Sequence, residues 1–219
     1  MTKLNSQKIE TIYFDTDGPI LDVSMRHFYV HNLICIELGI DNRLKPEVYW
    51  RKKRKKTPLF DFLNTREEKI INQYKKLWIE NIEKEQYLNK DRIFPFTKEV
   101  LDTMNEKYRL VLITLRMKKD MLLNEIKRFG IKKYFRDILI AYNRNNPNYE
   151  SKYMLIKRLP YFNKNAVLVG DTEVDIGIAK LLDIKSIGVL SGIRNRENLL
   201  QAGADMIIRD IRSLRKILK

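Results

Sequence analysis

The stretch Lys8–Phe14 (KIETIYF), followed directly by Asp15–Pro19 (DTDGP), decides the fold of this 219-residue chain. Its first part predicts a short apolar strand, and Gly18 with Pro19 predicts a turn immediately after it. Further along, apolar runs that predict strands alternate with segments of helical periodicity. Such alternation is typical of an α/β protein, in which a parallel sheet carries helices on both faces. We therefore predict a Rossmann-like parallel sheet.

The other strands are predicted in the second half of the chain. After Pro95, short apolar runs alternate with segments in which apolar residues recur at helical spacing. The predicted strands cover residues 109–114 (RLVLIT), 137–142 (DILIAY), 166–170 (AVLVG), 185–190 and 206–208. The predicted helices cover residues 97–107, 118–129, 151–159, 173–182, 196–202 and 212–218.

A helical segment separates the first strand from the others. Residues 20–94 have helical apolar spacing on both sides of a basic, turn-rich stretch. The sequence Thr65–Glu68 (TREE) fits a capping box, which would open a long helix that runs to Ile82. We predict a core domain of residues 1–19 and 95–219, with an all-helical cap domain of residues 20–94 inserted into it.

The composition indicates the cellular compartment in which the protein is expected. A hydrophobic fraction of 44% with few Gly and Pro residues is typical of a globular chain. Cys35 is the one cysteine, so an intramolecular disulfide is excluded. No apolar stretch reaches the roughly 18 residues of a membrane span, and residues 1–10 lack the apolar region of a signal peptide. We expect a cytoplasmic protein with no membrane partner.

An excess of positive charge raises the prospect of anionic partners. Forty-three Lys and Arg residues against 28 Asp and Glu residues leave a net charge of +15. The densest run is Arg51–Lys56 (RKKRKK), inside the predicted cap and directly after Tyr49 and Trp50. This run could attract a polyanionic substrate, contact nucleic acid or form a solvated helix face. We favour the solvated face over nucleic acid.

Chemically reactive side chains follow three of the predicted strands. Asp15 and Asp17 follow the first strand, Thr114 ends another, and Asp171 and Asp175 follow a third. Ligands of open parallel sheets bind beyond the carboxyl ends of the strands, so these five side chains should share one crevice. Four carboxylates repel each other unless a hard cation lies among them, and oxygen ligands suit Mg²⁺. The sequence therefore predicts a magnesium site that attracts and orients phosphate.

Together these motifs resemble the haloacid dehalogenase superfamily of hydrolases, of the phosphoglycolate phosphatase-like kind with a helical C1-type cap. They occur in the order of the family and at the expected strand ends, and the resemblance spans nearly the whole chain. A DxDG motif alone would also fit a calcium loop, but the combination is specific. The matching pieces are Phe14–Gly18 (FDTDG), Leu112–Thr114 (LIT), Lys152 and Val169–Asp175 (VGDTEVD).

The resemblance implies a phosphomonoesterase that acts through an aspartyl-phosphate. Asp15 is then the nucleophile, which divides one hard displacement into two easier ones. Asp17 protonates the leaving oxygen and later deprotonates the attacking water. Mg²⁺ is held by Asp15, Asp171 and the backbone carbonyl of Asp17, with Asp175 as a ligand or as a residue that orients one.

The resemblance also implies ligands for the phosphoryl oxygens. Thr114 and Lys152 bind them, and Lys152 additionally offsets the charge of the nucleophile. Lys157 and Lys164 precede Asp171 as well, so either is an alternative to Lys152. Lys152 is favoured because it stands at the start of a predicted helix, where the family lysine often lies.

Four positions have a second interpretation or depart from the family pattern. Thr114 could simply end a strand, and Asp175 could be a first-turn carboxylate that the helix dipole favours. Pro19 stands where the family more often has Thr or Val, and it should stiffen the exit from the catalytic loop. Arg116 stands where many members have a small or amide side chain. It could clamp a second anionic group of the substrate or be a solvated neighbour of a helix start.

These observations predict a Mg²⁺-dependent hydrolase of a small phosphorylated metabolite. The pair Asp15 and Asp17 favours phosphate esters over halides, because a halide leaves without protonation. Phosphomutases share this pair, so transfer to a sugar stays open. The alternative from another class is a catalytically weak protein of the same fold, whose basic cap binds nucleic acid or another polyanion. The sequence carries no indication of an oligomeric state.

Overall fold

The computed structural model describes residues 8–41, 44–141 and 149–218, and within these ranges the chain forms eight β-strands and eleven α-helices. The strands are β1 (Thr11–Phe14), β2 (Leu21–Asp22), β3 (Arg92–Ile93), β4 (Arg109–Thr114), β5 (Asp137–Ile140), β6 (Ala166–Gly170), β7 (Lys185–Val189) and β8 (Met206–Ile208). The helices are α1 (Ser24–Glu37), α2 (Pro46–Arg54), α3 (Leu59–Leu63), α4 (Glu68–Asn81), α5 (Glu85–Leu88), α6 (Thr97–Asn105), α7 (Lys119–Arg128), α8 (Tyr149–Lys157), α9 (Glu173–Leu182), α10 (Arg196–Gln201) and α11 (Leu214–Ile217).

Six of the strands form one parallel sheet, in the order β5-β4-β1-β6-β7-β8. Strand β1 lies inside the sheet, with Phe14 opposite Leu112 of β4 and Val169 of β6. All four side chains of β1 are buried. Burial on both faces explains why the strand has a continuous run of non-charged residues rather than an alternating pattern. The predicted Rossmann-like parallel sheet is confirmed.

Helices cover both faces of the sheet, because successive side chains of a strand point to opposite faces. On one face, Ile12 and Phe14 of β1 share an apolar cluster with side chains of α6, α7 and α11. On the other face, Tyr13 belongs to a cluster with side chains of α8 and α9. Among the described residues, no helix combines the length and the apolarity that a membrane crossing needs.

Helices α1–α5 form an insertion between the first strand of the sheet and the others, and we call them the helical insertion. The chain enters and leaves it through β2 and β3, which pair antiparallel with Leu21 opposite Ile93. The insertion has apolar clusters of its own, one of which joins Val30 and Ile34 of α1 to Tyr74 of α4. These features support the predicted core and cap domains, whose boundaries stay a prediction.

Several local predictions need correction. Helix α4 begins at Glu68 without a described side-chain cap. The stretch Thr65–Glu68 is therefore not a capping box, and the Glu67 N–H donates to Thr65 Oγ1. The basic run Arg51–Lys56 is not part of a turn-rich loop, since its first four residues end α2. Strand β5 ends at Ile140, and Tyr142, the last residue of the predicted strand, lies outside the described residues. Residues 1–7 and 219 of the predicted core domain lie outside them as well.

His31 couples the stability of the helical insertion to pH. The imidazole is fully buried on α1, and its Nδ1 lies 2.9 Å from the Tyr74 hydroxyl. Burial, together with the charges of Lys53 and Lys52, lowers the pKa of His31 to about 4.

We therefore expect the free energy of unfolding to fall by about 2 kcal/mol between pH 7 and pH 5 through His31 alone. The unfolded chain takes up a proton near the ordinary pKa of 6.5, whereas folded His31 stays neutral until about pH 4. The unfolded state therefore gains the proton first, and stability decreases as the pH falls through this window. Urea unfolding of the wild type and His31→Gln at both pH values checks this. An equal decrease in both proteins would contradict it.

Candidate active site

Asp15, Asp171 and Asp175 meet at the carboxyl edge of the sheet. Asp15 follows β1 and Asp171 follows β6, and these strands are hydrogen-bonded neighbours whose pairing continues as Asp15 N–H donates to Val169 O at 2.9 Å. Asp175 lies in the first turn of α9, where its Oδ2 accepts from the backbone and the hydroxyl of Thr172. Each of the three carboxyl groups offers an oxygen within 4.8 Å of the others. All three residues are buried.

Lys152 of α8 lies against this cluster. Its Nζ donates to Asp15 Oδ1 at 2.7 Å and to Asp175 Oδ1 at 2.9 Å. The two alternatives lie elsewhere, since Lys164 pairs with Asp183 and Lys157 lies over the Phe162 ring. The geometry thus brings Lys152 to the site, and its role toward a phosphoryl group stays a prediction.

The cluster of Asp15, Asp171, Asp175 and Lys152 carries more negative than positive charge in a buried place. Burial raises the pKa of Asp15 to about 7, against the effect of Lys152 and with the help of Asp175 and Asp17. Burial, Asp15 and Asp175 likewise raise the pKa of Asp171 well above its ordinary value. Three hard oxygen donors that are crowded in this way fit a divalent cation such as Mg²⁺, which would offset the repulsion.

Glycines let the main chain approach these carboxylates closely. A Cβ atom on Gly192 would lie 2.0 Å from Asp171 Oδ2, and one on Gly18 would lie 2.5 Å from the same oxygen. A Cβ on Gly170 would lie 2.3 Å from Asp175 Cβ. Gly18 also has a φ of +98°, which disfavours residues with a side chain. The Ile193 N–H, next to Gly192, donates to Asp171 Oδ2 at 2.5 Å.

The Asp17 carboxylate is hydrogen-bonded to two arginines and does not belong to the cluster of Asp15, Asp171 and Asp175. Arg116 donates to it through Nη2 at 2.7 Å and through Nε at 3.1 Å, and Arg26 Nη2 donates at 2.5 Å. Burial acts to raise the pKa of Asp17, but Arg116 and Arg26 outweigh it and hold that pKa well below the ordinary range. In this arrangement Asp17 is a carboxylate.

Arg116 is not the solvated helix neighbour that was one of its two interpretations. It is buried, and besides Asp17 it contacts Asp91 and Glu125, each at 3.2 Å. Arg26 also contacts Asp91 at 3.2 Å. Three carboxylates therefore surround two guanidinium groups. In this structure Arg116 binds Asp17 and the two neighbouring carboxylates. Its predicted contact with a substrate anion stays a prediction.

Sequence reasoning missed Arg26, Asp91, Glu125 and Glu83. One feature of the sequence indicates Arg26, because it lies at helical spacing from the buried apolar residues of α1. A charged side chain on such a buried face requires a partner of opposite charge. Glu83 follows α4 and accepts from the backbone N–H groups of Met117 and Lys118 at 2.8 and 2.7 Å. It thereby satisfies donors at the start of α7 and links the helical insertion to the core.

Thr114 completes a cavity in front of Asp15. The Thr114 side chain is buried at the end of β4, and its Oγ1 accepts from the Arg116 N–H at 3.3 Å. The cavity has a volume of about 270 Å³ and its walls come from both the core and the helical insertion. It is lined by Asp15, Asp17, Arg26, His27, Ile82, Glu83, Thr114, Leu115, Arg116, Lys152, Thr172 and Val174.

The close approach at Gly192 predicts a sharp difference between two glycine substitutions. Gly192→Ala should destabilise the fold by about 1–3 kcal/mol, because the new methyl group overlaps the Asp171 carboxylate. Gly177→Ala on α9 is the matched control, since nothing lies within 4 Å of its added Cβ. The control should stabilise the helix by about 0.5–1 kcal/mol. Thermal unfolding measures both, and equal melting temperatures would count against the crowding.

Comparison with known proteins agrees with this architecture. The sequence matches the family model of haloacid dehalogenase-like hydrolases over residues 12–189. A haloacid dehalogenase-like family hydrolase from Streptococcus pneumoniae has a TM-score of 0.74 at 18% identity, covering 97% of this chain and 99% of that one. A predicted phosphatase from Clostridium acetobutylicum has a TM-score of 0.74 at 19% identity, with 95% and 97% covered. For a predicted phosphoglycolate phosphatase from Haemophilus somnus the values are 0.69 and 19%, with 98% and 100% covered. No curated protein matches the sequence.

The family match covers most of the chain. Its residues 12–189 include the clustered carboxylates, Thr114 and Lys152, together with the whole helical insertion. The resemblance that the motifs indicated is confirmed, and the chain belongs to the haloacid dehalogenase-like hydrolases.

Proposed function

We propose that this protein is a Mg²⁺-dependent phosphatase that hydrolyses a small phosphate monoester. The observation that carries the proposal is the position of Asp15. Its carboxylate lies at 2.7 Å from Lys152, next to two further buried carboxylates, and it lines a cavity of about 270 Å³. The proposed nucleophile, the proposed metal ligands and the proposed phosphate-binding cation thus lie together. The predicted phosphatases among the structural neighbours agree with this proposal.

Asp15 is the proposed nucleophile. A carboxylate oxygen of Asp15 forms a bond to phosphorus, while the bond between phosphorus and the ester oxygen breaks and the alcohol leaves. Water then attacks the aspartyl-phosphate, releases inorganic phosphate and regenerates the carboxylate. Lys152 lies within hydrogen-bond distance of Asp15, which supports its proposed role of holding the nucleophile and binding a phosphoryl oxygen.

Asp15, Asp171 and the backbone carbonyl of Asp17 are the proposed Mg²⁺ ligands. When bound there, Mg²⁺ supplies positive charge that offsets both the clustered carboxylates and the phosphoryl oxygens. Asp175 accepts hydrogen bonds from Lys152 and Thr172, so it is placed to orient the other groups or to serve as a ligand. Thr114 lines the same cavity and is the proposed donor to a phosphoryl oxygen.

Asp17 is the proposed acid and base. As a carboxylate held by Arg116 and Arg26, it is ready to take the proton from the attacking water. Protonating a leaving oxygen first requires that these two contacts loosen. Contact of Arg116 with a second substrate anion would have the same requirement, because its guanidinium is already surrounded by carboxylates.

The helical insertion is the proposed cap. It supplies Arg26, His27, Ile82 and Glu83 to the cavity, so its position decides how much space and water surround Asp15. Nothing in the described chain favours the alternative of a nucleic-acid-binding cap or a phosphomutase activity.

Replacing the nucleophile tests the reaction. Asp15→Asn should lower kcat for phosphate release by about a thousandfold or more, because an amide cannot form the acyl-phosphate. Phosphate release from sugar phosphates, nucleotides, phosphoglycolate and a chromogenic ester measures this, with Mg²⁺ and with chelator. Asp102→Asn, at an exposed position on α6, is the control and should keep full activity. Absence of release from every ester by the wild type would overturn the proposal.

Metal binding can be tested without a substrate. Millimolar Mg²⁺ should raise the melting temperature of the wild type, because binding to the folded state alone stabilises it. Asp171→Asn should lose this shift, since it removes one charged ligand from the cluster. Na⁺ at matched ionic strength controls for general salt effects. A Mg²⁺ shift that survives in Asp171→Asn would place the metal elsewhere.

A further inference from the structure

A second cavity lies beside the candidate active site. It opens between α2, α4 and the loop that follows β7, and its volume is about 490 Å³. Aromatic and aliphatic side chains make up most of its walls. It is lined by Tyr49, Lys53, Lys56, Thr57, Leu59, Phe62, Tyr74, Lys75, Trp78, Ile79, Ile193 and Arg194, and we call it the aromatic cavity.

Two residues join the aromatic cavity to the active site. His27 lines the smaller cavity with Asp15, and its ring centroid lies 5.4 Å from that of Trp78 in the aromatic cavity. Ile193 lines the aromatic cavity, while its backbone N–H donates to Asp171. The aromatic cavity and the cavity in front of Asp15 are therefore neighbours, with the His27 ring and the Ile193 backbone between them.

The walls of the aromatic cavity suit a flat ring. Trp78 and Tyr74 are stacked, with centroids 6.0 Å apart and an interplanar angle of 22°. Tyr49 and Phe62 meet edge to face at 5.2 Å on another wall. Tyr49, Phe62 and Tyr74 are buried, whereas Trp78 is half-buried and presents part of its ring to a further aromatic group.

The charges around the aromatic cavity suit an anion. Four of its described lining residues are cationic and none is acidic. Lys56 and Arg194 share Glu173 as an ion-pair partner, so part of their charge is offset. Lys53 has no carboxylate within ion-pair distance in the described part of the chain. Its Nζ lies 4.6 Å from the centroid of the Trp78 ring.

The end of α2 that carries Lys53 is hydrogen-bonded to the core. The Lys53 carbonyl accepts from Arg194 at 3.4 Å, and the Arg54 carbonyl accepts from the Asn195 N–H at 3.1 Å. Burial, together with the charge of Arg194, lowers the pKa of Lys53 to about 8. An ammonium group in such a place lacks the counter-charge that it needs, and a bound anion would supply it.

We propose that the aromatic cavity binds the alcohol part of the substrate, and that this part is an aromatic ring bearing a second negatively charged group, which Lys53 binds. The inference rests on the proposed phosphatase function, because it takes the phosphate of the same molecule to be at Asp15. It assigns the second anion to Lys53 rather than to Arg116, whose partners are already the three carboxylates.

A pair of aryl phosphates tests the second charge. In the wild type, kcat/KM for 4-carboxyphenyl phosphate should exceed that for phenyl phosphate by about tenfold or more, which is the lower range for a charge-assisted hydrogen bond. In Lys53→Met this ratio should fall to near one, and because the ratio compares two esters in the same protein, any effect of the substitution that is common to both esters cancels. Lys55→Met, an exposed position directly after α2, is the matched control and should keep the ratio of the wild type. An equal ratio in all three proteins would overturn the inference.

A binding measurement separates this inference from the phosphatase function. Calorimetry with 4-hydroxybenzoate, phenol and 4-hydroxybutyrate compares ring and charge together, the ring alone and the charge alone. The wild type should bind 4-hydroxybenzoate the most tightly, and Lys53→Met should bind it about tenfold more weakly. If the wild type hydrolyses neither aryl phosphate nor any ester of the wider panel but shows this pattern, the phosphatase proposal fails, and the cavity still selects an aromatic anion through Lys53. If both esters are hydrolysed and the pattern is absent, the assignment fails alone.

Discussion

Three buried carboxylates, those of Asp15, Asp171 and Asp175, share one edge of the sheet with Lys152, and their mutual repulsion shapes the rest of the site. The parallel register brings Asp15 and Asp171 together, because β1 and β6 pair and end side by side. Charges so close together in a buried place need a counter-charge. Lys152 provides part of it, and a divalent cation among hard oxygen donors would provide the remainder. Gly18, Gly170 and Gly192 leave the space that the Asp171 and Asp175 side chains occupy, since an added Cβ atom at these glycines would overlap them.

A second set of buried charges connects the helical insertion to the core. Arg26 comes from α1 and Asp91 from the end of the insertion, while Asp17, Arg116 and Glu125 come from the core. Breaking one such pair leaves an uncompensated buried charge, which is strongly destabilising. The hydrogen bonds of Glu83 with the start of α7 also connect the helical insertion to the core. The position of the insertion over Asp15 is thus tied to the charge state of the residues around Asp17.

The basic run illustrates how a sequence pattern and its structural setting differ. Six consecutive Lys and Arg residues could line one solvated face, yet they divide between environments. Arg51 and Lys55 are exposed, whereas Lys53 lies against Trp78 and the Arg54 carbonyl accepts hydrogen bonds from residues of the core. Helical geometry explains the division, because neighbours along a helix point in different directions. The prediction of a solvated helix face therefore holds for only part of the basic run.

The amino-acid sequence by itself determined the sheet, the order of its elements and the residues at its carboxyl edge. Strand periodicity, turn residues and the position of Asp15, Thr114 and Asp171 directly after apolar runs are local features, and local features can be recognised without coordinates. The capping box was predicted at the wrong place, because a short local pattern such as TREE at residues 65–68 can occur without the structure that it indicates. The capping box that forms uses Thr172 and Asp175. Which cations meet which carboxylates became visible only in the tertiary structure. Within the described residues, Arg116 lies among three carboxylates and Lys53 pairs with none. These contacts join segments far apart in sequence, and no spacing along the chain encodes the distance between them.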